Sequence, residues 1–273
     1  MLAHRVLLVS ALLITLSAAA QEFWLQPVRF AVAPGSRVHL GRWVGQQFQG
    51  RRWAGNSQRL EELVHLQPGG TLRNLTVQAR LADTLQTSVL LEQPGTHLLA
   101  LRTNNAAIGM TGPQFTDYLR EAGLADVLAL RQRRHQTAAP ARELYRRCAK
   151  TLILAGAAAP TDTTWRRHLG HPLEILLEQN PYTLRPGSAL TVVVLAAGRP
   201  VAGQTLQAWL RPHAGGATQH FTLRTNNNGR TLLRLLQPAD VLLSTVRMEP
   251  YPTPAEADWQ STWASLTFAF LGR

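Results

Sequence analysis

The sequence predicts a mainly β fold: two immunoglobulin-like or transthyretin-like β-sandwich units with a short α-helical insertion between them. The first observation behind this prediction is a phrase that occurs twice. An aromatic residue, a Pro-Gly-Ser turn and an alternating segment follow one another over residues 30–40 and again over residues 182–192. The second observation is a succession of short apolar segments separated by Gly- and Pro-rich turns, which is typical of sandwiches and barrels. At 273 residues, 45% of them hydrophobic, the chain is long enough for two such units.

Residues 1–20 are predicted to be a secretory signal peptide. A basic start precedes an apolar run over residues 6–16, and an Ala-x-Ala cleavage site follows at residues 18–20. The run is too short to span a membrane, and no later run reaches ~18 apolar residues. We therefore expect cleavage between Ala20 and Gln21, a mature chain without a transmembrane helix, and a periplasmic or secreted location.

The first β-sandwich is predicted over residues 21–110, because short apolar segments alternate with turns throughout this part of the chain. Its candidate strands cover residues 23–25, 29–32, 37–43, 60–66, 72–80, 87–92 and 96–102. Between the third and the fourth strand, residues 45–57 read as a polar, glycine-rich loop that carries Phe48 and Trp53.

A helical insertion is predicted over residues 111–141. Thr111 followed by Pro113 matches a helix start with proline in the first turn. Gly123 interrupts the helical pattern, which resumes over residues 125–134 and so predicts a pair of helices. The positions that share one face of the first helix are Phe115, Tyr118, Leu119 and Ala122.

Residues 142–171 are predicted to be a returning strand and a linker, and residues 172–273 the second β-sandwich. Alternation predicts the returning strand over residues 143–154, although its first half fits a helix equally well. A tight turn rich in Asn and Gly is expected at residues 225–230, because both residue types tolerate positive φ. The candidate strands of the second unit cover residues 173–178, 189–195, 204–211, 220–225, 231–236, 241–248 and 261–270.

The chain is strongly basic, with 28 Lys and Arg residues against 16 Asp and Glu, a formal net charge of +12. Nearly all of this charge is arginine, scattered in short clusters, which fits solvated surfaces. An acidic partner such as an anionic lipid or polysaccharide is the alternative. The predicted export argues against a nucleic-acid partner.

Cys148 is the only cysteine, so the chain cannot form an intrachain disulfide. Its units are large enough to fold without one. A buried, inert thiol is the expected state. The alternative, a reactive or metal-binding thiol, would need an exposed electropositive site, and Arg146, Arg147 and Lys150 lie close by in the sequence.

The sequence carries no recognisable catalytic motif. It contains no Gly-x-Ser-x-Gly elbow, no His-Glu-x-x-His, no phosphate-binding loop and no Gly-x-Gly-x-x-Gly. Acidic residues are sparse and dispersed, so no pair of carboxylates suggests acid–base chemistry. We therefore predict a protein that is not an enzyme.

His168 and His171 are the first candidate metal ligands. Their spacing would place both rings on one face of a helix. Gly170 and Pro172 oppose a helix at this point, so a metal would have to be held by a loop and by further ligands. Two histidines without a metal are the alternative.

Five further histidines are weaker candidates. Those on predicted strands of the first unit would either cluster across a sheet or lie exposed: His39, His65 and His97. Two more flank a glycine-rich hairpin loop and are predicted to be solvated: His213 and His220.

Two loops carry candidate binding residues. Trp43, Phe48 and Trp53 would present aromatic faces to a sugar, or else anchor the loop in the core. A proline-stiffened loop near residues 248–259 carries three more candidates, since exposed loops on rigid scaffolds often bind partners. They are Tyr251, Asp258 and Trp259.

Several phrases in the chain resemble a bacterial periplasmic family of unknown function whose family label is linked to nickel uptake, as a substrate-specific component. The match extends over nearly the whole mature chain. The phrases that carry it include Glu22-Phe23-Trp24-Leu25-Gln26-Pro27, Asn180-Pro181-Tyr182 with Arg185-Pro186-Gly187, and Asp258-Trp259 with Ser261 and residues 263–268.

This resemblance implies an envelope accessory for the uptake or handling of a divalent metal such as nickel or cobalt, working with an envelope transporter or another envelope protein. Proteins of this kind often begin the mature chain with a histidine, whose imidazole and terminal amine suit nickel or copper. Here that position is Gln21, a poor ligand, so we carry no amino-terminal metal site over. The alternative function is a glycan- or protein-binding β-sandwich module of the cell envelope.

Overall fold

The computed structural model describes residues 21–53, 57–81 and 87–272, so the predicted signal peptide lies outside the described residues. The fold is mainly β, with 52% strand and 13% helix, which confirms the predicted class. The strands of the described residues form three sheets, none of them closed.

A central sheet of ten strands contains strands from both predicted units. Along the sheet the order is β15 (Gln219–Arg224), β14 (Thr205–Pro212), β17 (Ala239–Pro250), β18 (Trp259–Phe270), β10 (Ala141–Ala155), β8 (Gly95–Thr103), β5 (Leu60–Leu66) and β6 (Leu72–Asn74). Two shorter strands also pair with β10: β2 (Ala31–Val32) and β9 (Ala106–Met110). The predicted returning strand is β10, which is a strand throughout and pairs in parallel with β18. This parallel pair joins the two halves of the sheet.

Two smaller sheets cover the central sheet. The first outer sheet consists of β1 (Glu22–Pro27), β3 (Ser36–Gln46), β4 (Gln49–Arg52) and β7 (Thr87–Leu91). The second outer sheet consists of β11 (Leu173–Leu177), β12 (Ser188–Ala196), β13 (Arg199–Pro200) and β16 (Arg230–Leu235). In both, the second strand in sequence pairs with the other three, so the two outer sheets share one topology.

The doubled Pro-Gly-Ser phrase occupies the same place in each outer sheet. Gly35 has a φ of +80° and Gly187 a φ of +89°, values that favour glycine. Each glycine N–H donates to a carbonyl of the neighbouring strand at 2.7 Å, to Leu91 in one case and Leu235 in the other. The repeated phrase therefore marks equivalent turns, immediately before β3 and β12.

The outer sheets lie on opposite faces of the central sheet. Period-two alternation along β10 turns Ala149 and Ile153 towards the core under the first outer sheet. It turns Cys148 and Leu152 towards the core under the second. Cys148 is buried, as predicted, and burial raises the pKa of its thiol to about 11. The thiol is therefore protonated at neutral pH.

The predicted helical pair forms as α2 (Gly112–Glu121) and α3 (Ala125–Arg133). Thr111 caps α2, and its side chain and that of Gln114 form a reciprocal capping box. The apolar face of α2 packs on the central sheet, where Phe115 and Tyr118 contact a core that includes Trp259. No helix in the described ranges has the length and apolar character needed to cross a membrane.

Two local predictions were wrong. The strand expected over residues 72–80 ends at Asn74, and a short helix, α1 (Thr76–Leu81), follows. The Asn74 side chain accepts the Thr76 backbone N–H at 2.9 Å, which begins the helix and ends the strand. The loop expected over residues 45–57 contains the hairpin formed by the end of β3 and β4.

Candidate functional site

A cleft opens on the face of the central sheet that also carries the first outer sheet and α2. It has a volume of about 410 Å³. It lies where β1, the β3–β4 turn, the end of α2 and the strands β14, β15, β17 and β18 meet. Its lining residues are Glu22, Gln46, Gln47, Glu121, Ala122, Thr205, Gln207, Trp209, His220, Ser244, Thr245, Val246 and Trp263. Ligand sites commonly form at such junctions between structural units.

Alternation along β14 supplies the floor of the cleft. Thr205, Gln207 and Trp209 point towards the cleft, because every second residue of a strand faces the same side. The intervening residues are Leu206 and Ala208, which are buried in the core under the second outer sheet. One strand thus contributes both to the core and to a polar surface.

Glu22 forms the buried end of the cleft. Its side chain is held at the start of β1 and the residue is only 7% exposed. One carboxyl oxygen, Oε1, accepts the indole N–H of Trp209 at 2.7 Å, and the other, Oε2, has no hydrogen-bond partner within the described ranges. Burial raises the pKa of Glu22 to about 7, against the smaller lowering effects of Trp209 and Ser244.

Trp209 and His220 form a stacked pair at the side of the cleft. They lie directly opposite each other on β14 and β15, with ring centroids 3.7 Å apart and an interplanar angle of 13°. His220 Nε2 lies 2.7 Å from Gln207 Oε1, which also accepts the Thr222 hydroxyl at 2.9 Å. The amide oxygen therefore holds the imidazole in the orientation that stacks on the indole.

The β3–β4 turn at the opposite wall has an unusual backbone. Gln47 and Phe48 have φ values of +57° and +58°, although neither residue type favours this region. A Cβ on Gly45 would lie 2.1 Å from the Gln49 carbonyl oxygen, so the hairpin is closed too tightly for any other residue there. Strained backbone of this kind is concentrated at functional sites. The turn presents Gln47 to the cleft.

The aromatic residues predicted to bind a sugar lie mostly in the core. Phe48 packs edge-on against Trp24 at 5.8 Å, and Trp53 packs edge-on against Phe23 at 5.3 Å. Both Phe48 and Trp53 are buried. Trp43 is half-buried and lines a separate shallow groove. The three rings therefore do not form one exposed platform, although Phe48 supports the turn at the cleft.

The proline-rich loop near the C-terminus has its polar groups engaged. Asp258 accepts hydrogen bonds from the Arg142 guanidinium at 3.1 Å and from the Arg142 backbone N–H at 2.7 Å. The Tyr251 hydroxyl donates to Glu256 at 3.2 Å. Trp259 is buried against α2. The structure places these three residues apart from the cleft, and a binding role for them stays a prediction.

His168 and His171 approach a buried ion pair. Glu174 Oε2 lies 2.9 Å from Lys150 Nζ, and Glu174 Oε1 lies 3.1 Å from His168 Nε2. His171 Nε2 contacts a different carboxylate, that of Glu62, at 3.1 Å. Within residues 21–53, 57–81 and 87–272, no three His, Cys, Asp or Glu side chains converge as a metal site would require.

Two of the three strand histidines in the first unit do cluster. His65 Nε2 lies 2.9 Å from His97 Nδ1, and His97 Nε2 lies 2.8 Å from the Gln93 carbonyl oxygen. Both rings are buried. His39 is exposed and contacts Ser88 instead. Burial, His97 and Arg73 lower the pKa of His65 to about 3.

This pair is expected to make the protein sensitive to acid. Histidines of the unfolded chain take up protons below about pH 6.5, whereas folded His65 stays neutral down to about pH 3. Stability is therefore lost as the pH falls from about 6.5, by about 2 kcal/mol at pH 5 for His65 alone. Thermal unfolding at pH 5 and pH 7.5 should show a smaller pH effect in His65→Gln than in the wild type. His39→Gln is the control, and an equal change of slope in both variants would refute the assignment.

Sequence reasoning missed the residues that build the cleft. Glu22 appeared only as part of a family phrase. His220 is exposed, as predicted, but its stacking on Trp209 was not predicted. Two signals in the sequence could have indicated the cleft. The first is the acidic Glu22 in the otherwise apolar segment 22–25. The second is the alternation of Thr205, Gln207 and Trp209 with apolar residues within a predicted strand.

Comparisons with known proteins add little about function. No curated protein matches the chain. Solved structures with a partial likeness include Salmonella alpha-2-macroglobulin reacted with methylamine, at 13% identity and a TM-score of 0.24, and the native conformation of E. coli alpha-2-macroglobulin, at 12% and 0.23. They cover 93% and 92% of this chain, which spans only 15% and 14% of their length.

A segment of two fibronectin type III domains from chicken tenascin is another partial likeness. It has 12% identity and a TM-score of 0.19, and the match covers 81% of this chain and 87% of the segment. TM-scores this low carry no argument about function.

A family match covers residues 18–249, which is most of the chain. Membership of a family of unknown function is thereby confirmed, whereas the link to nickel uptake stays a prediction. The chain belongs to the family described as Domain of unknown function (DUF4198).

Proposed function

We propose that the protein is a non-enzymatic binding protein of the cell envelope, and that its ligand occupies the cleft between β1, α2 and β14. The observation that supports this most is the buried Glu22 carboxyl with its unpartnered oxygen beside the Trp209–His220 pair. A buried polar atom without a partner is costly, and a ligand that donates a hydrogen bond there removes the cost.

The lining suits a small, hydrogen-bonding ring such as a mono- or disaccharide. Side-chain amides and hydroxyls surround the space: Gln46, Gln47, Gln207, Thr205 and Thr245. The stacked pair adds an aromatic surface, against which the C–H face of a sugar ring can pack. A volume of about 410 Å³ is within the range of small-molecule pockets.

Calorimetric titration of the mature protein with a panel of mono- and disaccharides tests this proposal. We expect at least one member to bind with a Kd below about 1 mM, and Trp209→Ala to weaken that binding at least about tenfold. Trp43→Ala is the matched control, because this half-buried tryptophan lies in the separate groove. Loss of binding in Trp43→Ala but not in Trp209→Ala would move the site to that groove, and absence of binding to every sugar would overturn the proposal.

Metal handling is the second candidate, implied by the family resemblance and favoured by one local observation. His168 and His171 both lie beside Glu174, and Glu62 adds a second carboxylate. The Lys150 ammonium competes for Glu174, so a cation there would be held weakly. Calorimetric titration of the protein with nickel, cobalt, copper and zinc tests this role. A Kd below about 100 μM for one of these metals, with binding lost in His168→Ala, supports metal handling. Weaker binding of all four metals overturns it. An accessory to an envelope transporter is the form of function that this result would favour.

A further inference from the structure

The charge of the cleft is opposite to that of the chain. The whole sequence has 28 Lys and Arg residues against 16 Asp and Glu. Among the described residues that line the cleft, two are glutamates and none is lysine or arginine. A surface that is basic elsewhere but acidic in one concave site concentrates cations at that site.

The arginines nearest to the cleft in sequence are paired with other groups. Arg120, which precedes Glu121 on α2, pairs with Asp117 at 2.7 Å. Arg211 follows Trp209 on the same face of β14, but its guanidinium lies over the Phe48 ring at 4.5 Å and pairs with Asp240 at 3.2 Å. Arg247 follows Val246 on β17 and pairs with Glu249 at 2.7 Å. The two cleft carboxyls, Glu22 and Glu121, therefore have no basic partner among the residues lining the cleft.

The Glu22 carboxyl sets the polarity of the ligand at the buried end. Its Oε1 accepts the Trp209 indole N–H, and Oε2 has no hydrogen-bond partner among the described residues, so the ionised carboxyl can accept one more hydrogen bond. A protonated amine supplies both the donor and the compensating charge, which makes the hydrogen bond charge-assisted and shorter than a neutral one. A neutral hydroxyl supplies only the donor.

We propose that the cleft selects ligands that carry a protonated amine, such as an amino sugar, over their neutral counterparts. The amine lies against Glu22 Oε2 at the buried end, and Glu121 adds negative potential at the α2 wall. This inference rests on the proposed function of the cleft and names the ligand class that the cleft takes.

A hexosamine and its N-acetylated form make a matched pair of probes, because acetylation removes the charge and keeps the ring. Titrated into the wild-type protein at pH 7.5, above the pKa of about 7 that burial gives Glu22, the hexosamine is expected to bind at least about tenfold more tightly than the N-acetyl form. Added salt should weaken the binding of the hexosamine and leave the binding of the N-acetyl form nearly unchanged. Glu22→Gln keeps an acceptor for Trp209 but removes the charge, and should abolish the preference. Glu249→Gln, which alters an exposed carboxylate outside the cleft, should keep it.

The outcomes separate this inference from the proposed function. Equal binding of both probes, or tighter binding of the N-acetyl form, overturns the selectivity and leaves sugar binding in the cleft standing. A preference that survives in Glu22→Gln also overturns it, because the charge that carries the inference is then not used. No binding of either probe or of any sugar in the wider panel overturns both.

Discussion

Replacing Lys150 with methionine is expected to lower the free energy of unfolding by about 3–5 kcal/mol. Lys150 Nζ lies 2.9 Å from Glu174 Oε2, and the two side chains are 4% and 1% exposed. Burial by itself raises the pKa of Glu174, but the ammonium and the N–H groups of the adjacent loop hold it below its usual value. Without the Lys150 ammonium, the buried Glu174 carboxyl keeps only His168 and the N–H groups of Leu169 and His171 as partners, or it takes up a proton. Both states are less favourable than the ion pair.

The expected loss depends on burial and not on the deletion of a charge as such. Arg230→Met is the matched control, because it removes another long basic side chain from an ion pair, with Glu178 at 2.7 Å, that is exposed. Exposed pairs contribute at most about 1 kcal/mol. Urea unfolding followed by tryptophan fluorescence gives both values. Similar small losses in the two variants would show that the Lys150–Glu174 pair is not isolated from water.

Replacing Glu143 with glutamine is expected to stabilise the protein by about 3 kcal/mol at pH 8.5 and to have little effect at pH 4.5. Burial raises the pKa of Glu143 to about 7 from 4.5, against the lowering effects of hydrogen bonds from Ser261 and Tyr118. The unfolded chain releases this proton above about pH 4.5, whereas the folded protein keeps it until about pH 7. Stability is therefore lost as the pH rises through this window.

Glutamine keeps the acceptor that the surrounding network uses. The Tyr118 hydroxyl donates to Glu143 Oε1 at 3.0 Å, and the Ser261 hydroxyl donates to the same oxygen. Thermal unfolding of wild type and Glu143→Gln across pH 4.5–8.5 measures the difference, with Glu249→Gln as the exposed control. A constant destabilisation at every pH would mean that the amide breaks the network and that the acid does not ionise in this window.

The fold class could be predicted because its signals are local. The alternation of apolar and polar residues and the residue types of the turns depend only on neighbouring residues, as in the equivalent turns at Gly35 and Gly187. The joining of both halves in one sheet could not be predicted, because Glu143 pairs with Trp259, far along the chain. The helix α1 was missed because one side chain, that of Asn74, ends a segment whose pattern otherwise suits a strand.

The candidate site was predicted less well than the fold. Glu22 and Trp209 are 187 residues apart, and neither residue type by itself indicates that the two form a hydrogen bond. The β3–β4 turn uses Gln47 and Phe48 at positive φ, where Asn and Gly are the expected residues. The aromatic residues near this turn were considered both for sugar binding and for the core, and Phe48 and Trp53 lie in the core.

The position of β18 has a consequence for how the chain is made. This strand is late in the sequence but lies in the middle of the central sheet, between β17 and β10. A growing chain that has not yet produced residues 259–270 leaves unpaired the 12 residues of β17 and residues 143–151 of β10 that later pair with β18. Such long edges readily pair with other chains. Because β18 covers both edges at once, the risk of aggregation through them during synthesis ends only when residues 259–270 have been made.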